Sequence, residues 1–333
     1  MFSKYRVWLI MSGKWKLRLR LWAVTFAMFV IVFIFIAIIL TLLRIRTGVF
    51  TWLGFSLVII FIQYLIGPTI VKYSMNVRPL SENESPKIRG MVEELSAKAG
   101  IPTPEIGISE VNFPNAFAYG RTKNSGHIAL TSPIINLLDD DELKAVIGHE
   151  IGHIKHSDMA ITTIVSALPM ICYYVAMSFL YSRRDNDNAG AMIIVGIIGF
   201  IIYFIGQLVV LSVSRIREYY ADEASVEFGN KPSSLVSGLY KLSYGAANTD
   251  EKVIKDVSKN RAFFANDIDN CERDVACFKE IDFDHDGKIS DEDLRKFYDS
   301  NITKGSDNFT EILSTHPDSL KRARRLAELQ FEN

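Results

Sequence analysis

His149-Glu150-Ile151-Gly152-His153 sets two imidazoles four residues apart with a carboxylate next to the first. On a helix, positions i and i+4 share a face, so both histidines can reach one metal ion while Glu150 points at a water on that ion. Zinc takes neutral imidazole nitrogen at roughly 2.0 to 2.1 Å, and a catalytic zinc uses three protein ligands, leaving the fourth position to water. The pKa of such a water falls to about 7, and a neighbouring glutamate can take its proton as it attacks a carbonyl. These residue types point to zinc-assisted hydrolysis, with His149 and His153 as ligands and Glu150 as general base.

The motif needs a helix, and the flanking sequence supplies one. Asp139 stands three residues before Glu142, the spacing of a capping box, and Leu143, Val146, Ile147, Ile151 and Ile154 follow at helical intervals. A third ligand must come from elsewhere, because His156 follows too closely on the same helix. Glutamate fills that position in the thermolysin type of site. In Arg217-Glu218-Tyr219-Tyr220-Ala221-Asp222, Glu218 and Asp222 share one helical face. Glu218 can therefore bind zinc, while Asp222 accepts the other ring proton of a ligand histidine and fixes its orientation. Without the upstream motif the same segment would read equally well as a charged helix end after a membrane span.

Together these segments resemble the HtpX-like integral-membrane zinc metallopeptidases, gluzincins related to the CAAX prenyl endopeptidases. The resemblance is carried by Asn115-Ala116-Phe117-Ala118, by Asp141-Glu142-Leu143 and Ala145 to His153, by Ser214-Arg215 with Arg217-Glu218 and Ala221-Asp222, and by Ser314-Thr315-His316-Pro317. It covers the chain from about residue 80 to the C-terminus, apart from one insertion. It implies His149, His153 and Glu218 as zinc ligands, Glu150 as general base and later proton donor, and Asp222 behind a ligand. It also implies an edge strand, Asn115, Ala116, Phe117, Ala118 and Tyr119, on which an extended substrate adds as a further strand, with 128–130 as the next strand. His316 or Arg217 could bond the oxyanion or lock the Glu218 helix. His316 reads as readily as a turn histidine with only a structural role.

Hydrophobic residues make up 49% of the 333 and charged ones 23%, so an apolar part and a sizeable polar part coexist. Residues 21–43, 51–71, 159–181 and 189–214 are uncharged apolar stretches long enough to cross about 30 Å of hydrocarbon, the third interrupted by Pro169 and polar residues. Lys4, Arg6, Lys14, Lys16, Arg18 and Arg20 precede the first, whereas the short loops 44–50 and 182–188 carry two arginines each. The N-terminus should then be cytoplasmic, and so should the catalytic part after two crossings. Residues 1–20 could instead lie as a basic amphipathic helix on the lipid surface. The histidine pair precedes the third stretch and Glu218 follows the fourth, so one zinc can join them only across an even number of crossings, whether two spans or a re-entrant hairpin. At about 1.5 Å per helical residue the zinc sits within roughly 10 to 15 Å of the apolar boundary, which favours substrates cut close to the membrane.

Between the Glu218 helix and His316 lies an acidic insertion, 248–308. Within it Asp282, Asp284, Asp286, Gly287, Lys288, Ile289 and Asp293 take positions 1, 3, 5, 6, 7, 8 and 12 of an EF-hand loop, Lys288 offering its backbone carbonyl. Asp293 stands where glutamate is usual, so weak Ca2+ or Mg2+ binding is expected. The alternative is a solvated acidic loop. Cys172, Cys271 and Cys277 read as free thiols, and a net charge of -1 gives no indication of nucleic acid.

The expected molecule is a mainly α membrane protein. It comprises a basic segment 1–20, two transmembrane helices in 21–71 and a catalytic region 72–158 with a small sheet. Two further spans in 159–214, an ExxxD helix region 215–247, the insertion with its EF-hand-like loop 282–293 and a C-terminal catalytic helix in 309–333 complete it. The catalytic part should be a cytosolic, zincin-like α+β domain of a protein held in the cell membrane of a prokaryote, acting on membrane-protein or unfolded polypeptide substrates. Competing readings are a CAAX-type prenyl-protein endopeptidase and a non-catalytic, calcium-responsive membrane scaffold. Oligomeric state is not legible.

Overall fold

A computed structural model describes residues 49–81, 84–180, 189–250, 252–254, 271–300, 302, 314 and 316–332. The basic segment 1–20, the first expected span 21–43 and part of the acidic insertion lie outside the described residues. The elements are, in order, α1 (Val49–Ser74), β1 (Val77–Pro79), α2 (Pro86–Ala99), β2 (Glu105–Ser109), β3 (Ala116–Gly120), β4 (Gly126–Thr131) and α3 (Ser132–Leu137). Then follow α4 (Asp140–Lys155), α5 (Asp158–Leu180), α6 (Ala189–Glu227), α7 (Pro232–Ala247), α8 (Cys271–Lys279), α9 (Asp291–Asp299) and α10 (Ser319–Phe331). The chain divides into two compact units, Met1–Leu65 with Ile161–Ile216, and Ile66–Ala160 with Arg217–Asn333.

In the first unit the described residues are helical. Gly206 of α6 lies against Pro169 of α5, so close that a Cβ there would stand 3.0 Å from the proline ring. Tyr173 and Tyr203 pair their rings at 5.3 Å. Outside this contact Ile193, Ile197, Phe200, Ile201 and Phe204 of α6 remain about half exposed, an apolar face with no protein cover among the described residues. One helix among the described residues is long and apolar enough to cross a membrane, over Ile193–Glu227. The four-span architecture therefore rests on the sequence for 21–43, 51–71 and 159–181. The helix at 51–71 passes through Gly67-Pro68 to Ser74, and the expected boundary at 214/215 falls inside α6. Nothing between Ser214 and Glu227 breaks a helix. The chain turns only at Gly229, at φ 94°, just before Pro232.

The second unit holds a four-stranded sheet in the order β1-β2-β4-β3. β2 runs parallel to β4, and Ile106, Ile108, Ile128 and Leu130 are buried on them. β3 is antiparallel to β4 and forms an edge. The strand expected at 115–119 begins one residue later, since Asn115 is held at its start: its N–H donates to Thr131 Oγ1 at 2.8 Å, and its carbonyl accepts from the Thr131 amide. The strand expected at 128–130 extends over 126–131.

α4 runs through the middle of this unit, buried from Glu142 to Ile154 apart from Lys144 and His153. Phe278, Ile281, Ile289, Leu294 and Phe297 belong to the same hydrophobic core as Ile147 and Leu326. Burial of each such side chain is worth roughly 1.5 to 3 kcal/mol. The second half of the acidic insertion is thus part of the core that supports α4, not an appendage.

Candidate metal centre and active site

α4 starts at a complete capping box. Asp139 Oδ1 accepts from the Asp141 and Glu142 amides at 3.1 and 3.0 Å, and Glu142 Oε2 accepts from the Asp139 amide at 2.9 Å. Such a cap contributes about 1 kcal/mol and fixes where the helix begins. Later on the helix, His149 and His153 fall on one face. The helix ends at His156, and Ser157, at φ 56°, turns the chain back so that Asp158 reaches His153. Asp158 Oδ2 accepts from His153 Nδ1 at 2.6 Å.

Two glycines let the third side chain approach. A Cβ on Gly152 would stand 3.0 to 3.2 Å from Ala221 and Ala224 of α6, and one on Gly148 would overlap Ser225 and Asn230. α6 therefore touches α4 nearly backbone to backbone along this groove, which brings Glu218 and Asp222 to the histidines. Ser225 Oγ donates to the Ala145 carbonyl at 2.7 Å and fastens the contact.

The potential ligand atoms converge. His149 Nε2 and His153 Nε2 are 3.1 Å apart, and the two carboxylate oxygens of Glu218 lie 3.5 Å from them, one from each. Bonds of roughly 2.0 to 2.1 Å at tetrahedral angles set neighbouring donors roughly 3.3 Å apart, so the three side chains fit a zinc ion. Glu218 Oε2 is buried without a well-formed hydrogen bond, as expected of an oxygen reserved for a metal. Each side chain is held from behind: Asp222 Oδ1 accepts from His149 Nδ1 at 2.9 Å, Asp158 accepts from His153, and Arg322 Nη1 lies 3.4 Å from Glu218. Arg322 also grips Asp222 with two donors, at 2.9 and 2.7 Å.

Sequence reasoning named Asp222 but missed Asp158 and Arg322. Asp158 is the first acidic residue after the motif helix, a signal that its distance from Glu218 along the chain obscured. Arg322 is one of four basic residues within Lys321–Arg325, and only its place on the stripe of Leu320, Ala323 and Leu326 marks it as buried. Arg217 Nε lies 3.1 Å from Asp158 Oδ1, so it steadies the carboxylate behind His153. His316 Nδ1 lies 3.2 Å from Glu218 Oε2. His156 faces Tyr220, away from the cluster.

The pocket favours positive charge. Burial would push the His149 imidazole down, but Asp222 and Glu218 raise it to about 10. Glu218 lies just past the apolar part of α6, where burial works against ionisation. Even so His316, His149 and Arg322 hold its carboxyl well below the ordinary value. Glu150 differs. Burial and the nearby Glu218 push it up, only partly offset by the histidines and by a hydrogen bond from the Ala118 amide of β3. A carboxylate that binds a proton more readily than usual, beside a metal-binding cluster, is suited to general base work.

A family model described as peptidase family M48 matches residues 82–330. The chain belongs to peptidase family M48. Family membership makes it a protease, in agreement with the hydrolytic reading of the motif. Similar proteins include a "Protease HtpX homolog" of Methanothermobacter thermautotrophicus, 51% identical over 229 residues that cover 68% of this chain and 86% of that one. Another protein of the same description, from Thermoplasma volcanium, is 34% identical over 271 residues, 81% of this chain and 79% of that one. Among solved structures, S. mikatae Ste24p superposes with a TM-score of 0.44 at 17% identity, covering 89% of this chain and 61% of that one.

Proposed function

We propose that this M48 protease is a zinc-dependent membrane endopeptidase. The convergence of His149, His153 and Glu218 beside Glu150 carries the reading. Zinc held by the three side chains supplies Lewis acidity and an acidified water. Glu150 accepts the proton of the water that adds to the scissile carbonyl carbon, and returns it to the amine nitrogen as the C–N bond breaks. Asp222 and Asp158 keep the two histidines oriented through their Nδ1 protons, and Arg322 keeps Asp222 ionised.

The substrate's backbone adds to β3. Pairing with β4 takes the backbone groups of Asn115, Phe117 and Tyr119, so by alternation those of Ala116 and the carbonyl of Ala118 face the open edge, the Ala118 amide being taken by Glu150. Main-chain pairing gives affinity without strict sequence preference, which suits unfolded or membrane-tethered polypeptides. The exposed apolar face of α6 supports a bilayer as its surroundings, and the basic N-terminal segment supports a cytoplasmic catalytic part with four spans. The loop 282–293 enters the same reading as a second cation site, for Ca2+ or Mg2+.

The decisive experiment compares the purified, zinc-loaded protein with its Glu150→Gln variant. The variant should keep stoichiometric zinc by metal analysis and lose at least about a hundredfold of its cleavage rate on an unfolded polypeptide. Equal cleavage by both proteins would refute the reading.

A further inference from the structure

The loop between α8 and α9 carries features of a cation site beyond its acidity. Asp282, Asp284 and Asp286 each offer an oxygen, all within 4.8 Å of one another. Asp282 is 3% exposed, and its Oδ1 is buried without a hydrogen-bond partner although the Tyr240 hydroxyl stands beside the carboxylate. Its Oδ2 accepts from the Gly287 amide at 3.0 Å, and Gly287 sits at φ 80°, where a side chain would strain the turn. A buried carboxylate oxygen without a well-formed hydrogen bond, in a group of three carboxylates whose oxygens gather within 4.8 Å, is incomplete without a cation.

The loop is also joined to the helix that bears His149 and His153. The Ile289 amide donates to Ser237 Oγ at 3.1 Å, and Ser237 Oγ donates to Glu142 Oε1 at 2.7 Å, inside the capping box of α4. Lys288 Nζ donates to Asp139 Oδ2, the other half of that box. The carbonyl of Lys288, at position 7 of the loop, and the amide of Ile289 are the two ends of one planar peptide group. A cation drawing in that carbonyl fixes the same plane whose N–H holds Ser237, and polarises the N–H toward a stronger donor.

We infer that a hard divalent cation in the loop 282–293 strengthens metal retention at His149, His153 and Glu218, through the Lys288–Ile289 peptide, Ser237 and the capping box of α4. The inference rests on the zinc reading above. By linkage, zinc must tighten cation binding at the loop by the same factor.

The test uses the full chain in detergent with Glu150→Gln to prevent self-cleavage, so that no step depends on proteolysis. Metal analysis first establishes that zinc is bound; its absence would sink the zinc reading rather than the coupling. Calorimetric titration with CaCl2 should show one site with Kd in the range of about 10⁻⁴ to 10⁻³ M. Saturating Ca2+ should slow zinc transfer to a zinc-selective fluorescent chelator by at least about fivefold. Asp284→Asn with Asp286→Asn should abolish both effects. Lys288→Met with Ser237→Ala should keep calcium binding and lose the slowing. If that pair fails to fold, Lys288→Met alone, at a half-exposed side chain, should reduce the slowing. No calcium binding, calcium binding that leaves zinc transfer unchanged, or full slowing in the Lys288 and Ser237 variants would each overturn the inference.

Discussion

Around His149, His153 and Glu218 each side chain is backed by a buried partner, two of the three from distant parts of the chain, whereas Asp284 and Asp286 bond mainly to amides of their own loop. Both clusters could hold a metal ion, yet one is preorganised and the other adaptable. At the first, Asp222, Asp158 and Arg322 fix the geometry before any metal arrives, so binding reorders little and discriminates strongly. At the second, carboxylates cluster within reach of one another, two of them exposed, and on the reading proposed above a cation would itself order them. On the proposed reading, the difference suits a permanent catalytic ion in one place and an exchangeable ion in the other.

The largest expected effect comes from removing a charge at the preorganised cluster. Glu218→Gln keeps the shape but offers only a neutral amide oxygen. Zinc affinity should fall by more than about a hundredfold, beyond what loss of an outer partner costs, and cleavage should vanish with it. Metal analysis after dialysis against a weak chelator decides this. Retained zinc would mean that another group is the third ligand.

Arg322→Ala tests the backing rather than the ligand. It leaves Glu218 and Asp222 buried without their common counter-charge, and breaking a buried pair costs about 3 to 5 kcal/mol. Chemical denaturation of the zinc-free protein should show a loss of that size. Arg322→Lys keeps the charge but not the two-pronged grip, and should fall between. Asp222→Asn is milder. The amide can still meet His149 but no longer supports its proton, so zinc affinity should drop by about 10 to 100-fold, measured by competition with a chelator of known affinity; stability should fall as well, by less than for Arg322→Ala because Glu218 still faces the guanidinium.

Legibility in the sequence followed the same divide. His149, Glu150 and His153 stand within five residues, and the helix period alone puts both histidines on one side. Glu218 and Asp222 were readable as a pair for the same reason. What brings the two helices together was not: Gly148 and Gly152 act through the absence of side chains facing Ala221 and Ser225, a contact across a long separation in sequence. Arg322 owes its role to that approach, so nothing local distinguishes it from surface charges, whereas Asp158 depends on the turn at Ser157 that closes the end of α4. The sheet order was equally hidden, since the parallel pairing of β2 with β4 depends on a crossover that skips β3. The clustering of Asp282, Asp284 and Asp286 was readable because these carboxylates are local.

The smallest predicted effect concerns position 12 of that loop. Asp293 is buried and already engaged: Oδ1 accepts from the Phe283 amide at 3.2 Å, and Oδ2 accepts from the Ser290 amide and hydroxyl at 3.0 and 2.5 Å, closing the capping box of α9. An aspartate tied into its own helix start reaches poorly toward an ion. Asp293→Glu adds one methylene, and the box tolerates it because Ser-x-x-Glu is the commoner form. The longer side chain can offer both oxygens to the cation, so calcium binding should tighten by about tenfold, some 1.4 kcal/mol. Calorimetric titration of the two proteins measures this directly. Should the glutamate variant bind calcium no better while folding normally, the loop does not use position 12, and its affinity is set by Asp282, Asp284 and Asp286 alone.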